Sequence, residues 1–296
     1  SKDNSIAIWY STYDGTRRDR FNFYILYDLT PLKESIAVSS NGLKYKYGVF
    51  FYDKKTFALL DSPVLTNYDN YPNAVLDMSN GNYAYATNRE ILIMNASNDV
   101  ETSVYGIVYS LAELKTGELV VGANLNLKVL DTKGNLTTIY GHNGIIDLLS
   151  VLPNGFLASA ASDKTVRVWN ATNSELKKTF FMANKTTHMF VSKSGDLVAA
   201  GGNQVHIIDS NDLVLKNTLT LNVAVATLLS DIIELPNGDL VTTSSDKKIK
   251  LWSKSANFEL KETINAEYHI TKLVTIPSKN YLVGGSISGS IYFWSL

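Results

Sequence analysis

Four histidines, His142, His188, His206 and His269, are the side chains of this sequence best suited to proton transfer or metal ligation near neutral pH. A metal site needs three or four converging ligands. His188 and His269 fall near the starts of β-rich runs, as do Asp147 and Asp231, and these four form the candidate ligand set of a metal-assisted hydrolase or lyase. His206 lies within a β-rich run, where packing accounts for it. Asp163 and Asp246 have the look of paired catalytic acids, but glycosidase chemistry needs carboxylates within about 5–10 Å of each other. They occupy equivalent turns of separate repeats, where a carboxylate accepts backbone N–H groups. There is no cysteine, which excludes thiolate catalysis, disulfides and Cys-ligated zinc. Gly201-Gly202 and Lys247-Lys248 lack the spacing of a phosphate loop, and no Gly-x-Ser-x-Gly elbow occurs. The sequence therefore assigns no catalytic residue, no metal and no cofactor, and predicts a protein that is not an enzyme.

The elements that would position these residues are repeats. Leu152-Pro153-Asn154-Gly155 through Ser162-Asp163-Lys164 to Val168-Trp169 returns 83 residues later as Leu235-Pro236-Asn237-Gly238 through Ser245-Asp246-Lys247 to Leu251-Trp252. That offset is two repeat lengths of an array built from one supersecondary unit. Aligning the units on the last hydrophobic residue of a third strand gives the column Tyr52, Met94, Leu130, Trp169, Ile208, Trp252 and Trp294. Turns precede six of these anchors, at Gly81, Gly117, Gly155, Gly195, Gly238 and the Pro277-Ser278-Lys279-Asn280 stretch. A second turn, six residues before the anchor, holds Asn88, Asn124, Asp163, Gly202, Asp246 and Ser288; blade one departs, with Lys46 there. Four short antiparallel strands about every 40 residues make a propeller blade. No stretch has helical periodicity.

These units resemble WD40 repeats over residues 60 to 296. The fullest likeness is Gly141-His142 followed by Ser159, Asp163 and Trp169; the unit ending at Trp252 is the second. The resemblance implies that His142, Ser159, Asp163 and Trp169 form a hydrogen-bonded tetrad holding one blade together. The final Trp-Asp dipeptide is absent, since Asn170, Ser253 and Ser295 follow the tryptophans. The resemblance also implies an all-β, seven-bladed β-propeller of four-stranded antiparallel blades forming one domain over 1–296. The last unit stops short of an outer strand, while Ser5-Ile6-Ala7-Ile8-Trp9-Tyr10 is strand-like with nothing before it to pair with. Residues 1–20 are thus expected to supply a closing strand in the last blade, plus a linker, which would leave no open edge. The alternative is an incomplete eighth unit at Trp9.

One aligned column has the character of a binding surface. Eight residues before each first turn stand Asn73, Tyr109, Asp147, Thr187, Ser230 and Lys272, all polar, where each inner strand begins. In a propeller they would ring one mouth of the axial channel, and their variety suits an asymmetric protein or peptide partner. Strand starts are also commonly polar for no functional reason. The formal net charge of −1, from 27 basic and 28 acidic residues, points to neither nucleic acid nor an anionic membrane. No apolar run approaches the roughly 20 residues of a membrane span. Arg17-Arg18-Asp19-Arg20 reads as a solvated loop. A carbohydrate-binding propeller using Tyr68, Tyr71, Tyr105 and Tyr268 is a further alternative, weakened by the lack of a repeated aromatic motif. Compartment stays open, with the cytoplasm favoured.

Overall fold

Turn chemistry and β-branched runs translate directly into strands in the computed structural model of the chain. It describes residues 5–12, 15–22, 25–31, 35–41, 47–53, 64–66, 72–87, 90–94, 100–105, 108–221, 227–276, 281–288 and 290–295, and side chains from residue 75 onward, apart from those of 100–105. Contacts gather the chain into two compact units, 1–138 and 139–296.

In the first unit, β1 (Ser5–Thr12) and β2 (Gly15–Asn22) form a hairpin. Sheet one follows, with β3 (Ile25–Pro31), β4 (Ser35–Asn41), β5 (Tyr47–Asp53) and β6 (Val64–Thr66). Sheet two has β7 (Pro72–Asp77), β8 (Tyr83–Thr87), β9 (Glu90–Met94) and β10 (Val100–Tyr105). Sheet three has β11 (Ser110–Glu113), β12 (Leu119–Ala123), β13 (Asn126–Leu130) and β14 (Leu136–Ile139). The second unit continues with sheet four, β15 (Ile146–Val151), β16 (Leu157–Ala161), β17 (Thr165–Asn170) and β18 (Glu175–Phe181). Sheet five is β19 (His188–Val191), β20 (Leu197–Gly201), β21 (Gln204–Asp209) and β22 (Val214–Thr220). Sheet six is β23 (Leu229–Glu234), β24 (Leu240–Ser244), β25 (Lys248–Ser253) and β26 (Glu259–Asn265). Sheet seven has three strands, β27 (Ile270–Ile276), β28 (Tyr281–Ser286) and β29 (Ile291–Ser295). A single 3₁₀ turn at Lys254–Ala256 is the one helical piece among the described residues.

The expected all-β class and repeat register hold. In the six later sheets each anchor faces the first or second residue downstream of the hairpin turn: Tyr83 with Met94, Leu119 with Leu130, Leu157 with Trp169, Leu197 with Ile208, Leu240 with Trp252 and Leu282 with Trp294. The turn itself is set by glycine; Gly155 sits at φ +87°, where an L side chain would be strained. The expected closing strand is not seen in the last blade: β1 is bonded to β2 along its whole length, and among the described residues sheet seven has three strands. With Thr12 paired to Gly15, only two residues separate the strands, and such local pairing costs little loop-closure entropy.

Packing is face to face. The second strand is fully buried from end to end in sheets three to six, with sequences LVVGA, LASAA, LVAAG and LVTTS. One core joins sheets four and five around Val166, Val168, Leu197 and Ile208. The next joins sheets five and six around Val205, Ile207, Leu240 and Trp252, and a third joins sheets six and seven around Val241, Ile249, Leu273 and Leu282. A polar brace also recurs near the turns. Glu113 accepts from the Ser79 N–H at 2.8 Å, and Glu234 accepts from the Lys193 N–H at 2.8 Å, each tying one sheet to the next. Leu197 is wholly buried in the sheet four–five core, so Leu197→Ala should cost about 2–5 kcal/mol, read as a lowered urea midpoint at constant slope.

Candidate functional site

Two hydrogen-bonded constellations stand out in the second unit: one locks a sheet internally, the other ties sheets together. The first is the expected tetrad. Trp169 Nε1–H donates to Ser159 Oγ at 2.8 Å, and Ser159 Oγ lies 2.7 Å from His142 Nε2. His142 Nδ1 lies 3.0 Å from Asp163 Oδ2. Burial, the largest influence, holds the His142 pKa below its usual value, against the pull of Asp163. The imidazole is therefore neutral, with Nδ1–H donating to Asp163 and Nε2 accepting from Ser159. Burial alone would raise the Asp163 carboxyl. The Asn143 N–H, His142 and Thr165 outweigh it and bring its pKa down to about 2. The Gly-His dipeptide now has its reason: a Cβ on Gly141 would lie 2.5 Å from the Trp169 ring. The unit ending at Trp252 keeps less of the arrangement, with Trp252 Nε1–H donating to Thr242 Oγ1 at 3.0 Å. At Trp294 the matching position is Gly284, which supplies space and no acceptor.

The second constellation lies where inner strands begin. Asp231 on β23 is its hub, buried with its side chain 7% exposed. It takes His188 Nε2 of sheet five at 3.3 Å, the Leu273 N–H of sheet seven at 2.8 Å, and Lys272 Nζ at 3.7 Å. Burial would raise its pKa, but His188, the Leu273 N–H and the Lys272 charge together hold it below the ordinary carboxylate value. Beside it, Ser230 Oγ meets His269 Nε2, again between sheets six and seven. Thr187 Oγ1 lies 3.0 Å from His188 Nδ1, and Lys185 Nζ is 3.0 Å from Asp147 Oδ2 of sheet four. Polar contacts thus link sheets four to five, five to six and six to seven.

The column expected to form the binding surface meets this constellation unevenly. Asp147 and Ser230 are bulge residues, each falling in a register shift of the inner strand. A bulge leaves the extra residue out of the ladder and re-aims its side chain. Asn73 falls in the same kind of shift, though its side chain lies outside the described residues. Tyr109 and Thr187 are exposed and donate their N–H groups to Gly122 and Ala200, one step before the first paired residue. Lys272 is one position late: the bulge residue of β27 is Thr271, and Lys272 aligns with Asp231. Thr275 pairs with Leu282 across six residues where Val151 pairs with Leu157 across five, which displaced the count. Lys272 remains highly exposed, with 74% of its side chain accessible.

Of the four candidate metal ligands, His188 and Asp231 meet, whereas Asp147 pairs with Lys185 and His269 with Ser230. Among the described residues no three His, Asp or Glu side chains gather around one point. A Ser–His–Asp relay needs a single imidazole between hydroxyl and carboxylate. Here His269 serves Ser230 while His188 serves Asp231, so the parts are split between two histidines. Sequence reasoning named Asp231 as a metal-ligand candidate and missed it as the hub; it is the one acid in a column that holds Ala74, Ser110, Leu148, His188 and Lys272 in the neighbouring repeats.

A family model described as WD domain, G-beta repeat, matches residues 133–170 and 229–253. Those segments contain the tetrad and the Trp252 unit. The chain is 24% identical over 197 residues to "Nuclear distribution protein PAC1" of Coccidioides posadasii (strain C735), covering 56% of this chain. The match spans 42% of that relative's length. A chain in the "Crystal Structure of Mitotic Checkpoint Complex" superposes with a TM-score of 0.68 at 18% identity, covering 88% of this chain and 86% of that one. That likeness shows the fold, a β-propeller of antiparallel blades.

Trp169 is 2% exposed, so Trp169→Ala should cost about 3–5 kcal/mol by chemical denaturation, and Gly141→Ala should destabilise through its clash with the same ring. The pH dependence has a definite sign. His142 has its folded pKa below the unfolded value, so the unfolded state takes up the proton first and stability falls as pH drops below about 6.5. A second loss follows between about pH 4 and 2, as Asp163 protonates. Urea midpoints between pH 7 and 5 should fall more steeply for the native chain than for His142→Gln.

Proposed function

As a WD40-repeat protein, this chain is, we propose, a non-enzymatic scaffold that binds a protein or peptide segment through the face carrying the starts of its inner strands. WD40 propellers are generally protein-interaction scaffolds. The observation that carries the reading is the polar constellation around Asp231. It ties His188 to Asp231 and Ser230 to His269 through contacts between neighbouring sheets, while Thr187 and Lys272 stay exposed. A preorganised, half-buried polar surface loses little entropy on binding, which favours recognition. Splitting the two imidazoles between separate partners supports binding over hydrolysis.

The relatives agree with this in kind. A nuclear distribution protein and a checkpoint complex are the settings of the similar chains. The near-zero net charge supports neither nucleic acid nor an anionic membrane as partner, and no helix among the described residues is long and apolar enough to cross a membrane.

The test starts with partner capture from the native source, followed by affinity measurements on Tyr109→Ala, Thr187→Ala and Lys272→Ala. Lys272→Ala is preferred to charge reversal, which would set a carboxylate against buried Asp231. At least one exposed anchor should lower affinity by tenfold or more, while melting temperatures stay near that of the native chain. Unchanged affinity in all three would overturn the assignment of this face.

A further inference from the structure

Backbone hydrogen bonds lace three kinds of segment together at one end of each sheet in the second unit. In sheet four the Met182 N–H donates to the Lys164 carbonyl, and the Ser162 N–H to the Ile145 carbonyl. In sheet six the Ala266 N–H donates to the Lys247 carbonyl, and the Ser245 N–H to the Leu228 carbonyl. The end of the outer strand, the second hairpin turn and the approach to the inner strand therefore share the face that carries the Asp231 hub.

Two residues before Asp147, Thr187, Ser230 and Thr271 stand Ile145, Lys185, Leu228 and His269, each followed by a buried residue. From sheet four to sheet seven this column alternates an apolar side chain, an ammonium, an apolar side chain and an imidazole. The apolar members are held in place by their backbone. The Ile145 N–H donates to Ser162 Oγ at 2.8 Å and the Leu228 N–H to Ser245 Oγ at 3.0 Å, while the same serines return their own N–H groups to the Ile145 and Leu228 carbonyls. With both backbone groups taken, Ile145 and Leu228 are still 37% and 58% exposed. The charges are layered. Asp147 and Asp231 keep 25% and 7% of their side chains accessible, against 48% for Lys185 and 74% for Lys272, whose ammonium groups lie against them. Lys164 and Lys247, in the second turns of sheets four and six, are exposed as well, and the exposed Glu267 is engaged by the neighbouring Tyr268 hydroxyl.

We propose that the partner taken up by this face is a protein segment in which acidic residues stand between apolar ones; the inference rests on the reading that this face is the binding surface. The apolar residues of the segment cover Ile145 and Leu228, removing exposed apolar surface from water. Its carboxylates meet Lys185 and Lys272. An ammonium has three donors, and the carboxylate beneath each lysine does not use them all, so donors remain for a ligand. A cationic segment would meet the two ammonium groups before it reached the carboxylates under them, and like charges brought together oppose it. Selectivity for acids thus follows from the layering of the charges, although the whole chain is nearly neutral.

The probe is a displayed library of short random peptides, panned on the full chain. Enriched sequences should place Asp or Glu between apolar residues. By fluorescence anisotropy, the leading peptide should lose about tenfold in affinity when its acids are replaced by their amides, and that loss should shrink to less than about twofold on the Lys185→Ala/Lys272→Ala chain. Leu228→Ser should weaken the same peptide about three- to tenfold at an unchanged melting temperature. If the double variant fails to fold, Lys185→Gln and Lys272→Gln, made separately, supply the same comparison. Enrichment of basic or acid-free sequences that still lose affinity on Thr187→Ala or Lys272→Ala overturns the acidic partner and leaves this face as the binding surface. Acidic peptides whose amide penalty persists without the two lysines overturn it too. Peptides insensitive to every substitution on this face, or no enrichment at all, overturn both readings.

Discussion

A strand buried on both faces needs a sheet on either side of it, and that constraint governs this structure. β12, β16, β20 and β24 are buried at every position. Their residues are mostly small, so neighbouring sheets approach closely, and backbone polarity is satisfied within each ladder. A single four-stranded sheet of this composition would expose one apolar face. Repetition supplies the cover, and each unit is stable only beside its neighbours. Two of the polar groups buried in such strands are met locally: Ser159 and Thr242 accept from tryptophan indoles.

The repeat was legible because its signals are local. Turn glycines, anchors at a fixed distance and β-rich runs all act within one unit, and every later anchor fell in the expected register. The tetrad was legible for the same reason, since His142, Ser159, Asp163 and Trp169 lie within one unit and its immediate approach. Long-range pairing was less so. The edge of β29 and the sequence of β1 looked complementary, yet the two-residue connection to β2 offers β1 a nearer partner. Counting back from Asn280 also failed at Lys272, because one additional residue between the paired Thr275 and Leu282 moves every upstream position by one. The Asp231 hub was illegible for a different reason: its partners lie 41 to 43 residues away in neighbouring sheets, and nothing in a single unit announces them.

The tetrad and the hub use the same chemistry to different ends. His142 and Asp163 close a loop within sheet four, and the imidazole side chain is fully buried. Its orientation is fixed by Ser159, and a partner cannot reach it. His188 and Asp231 join two sheets, and the imidazole keeps 22% of its side chain accessible. A buried carboxylate must be paired, so Asp231 constrains the spacing of β19, β23 and β27 through groups that belong to three sheets. The accessible edge of His188 is then held by a network whose centre is buried, with Thr187 and Lys272 exposed beside it. Rigid support under an exposed polar surface is what binding requires and what an isolated surface ion pair does not provide. The same histidine–aspartate contact therefore contributes to stability in one place and leaves part of the ring in solvent in the other, where the proposed function would use it.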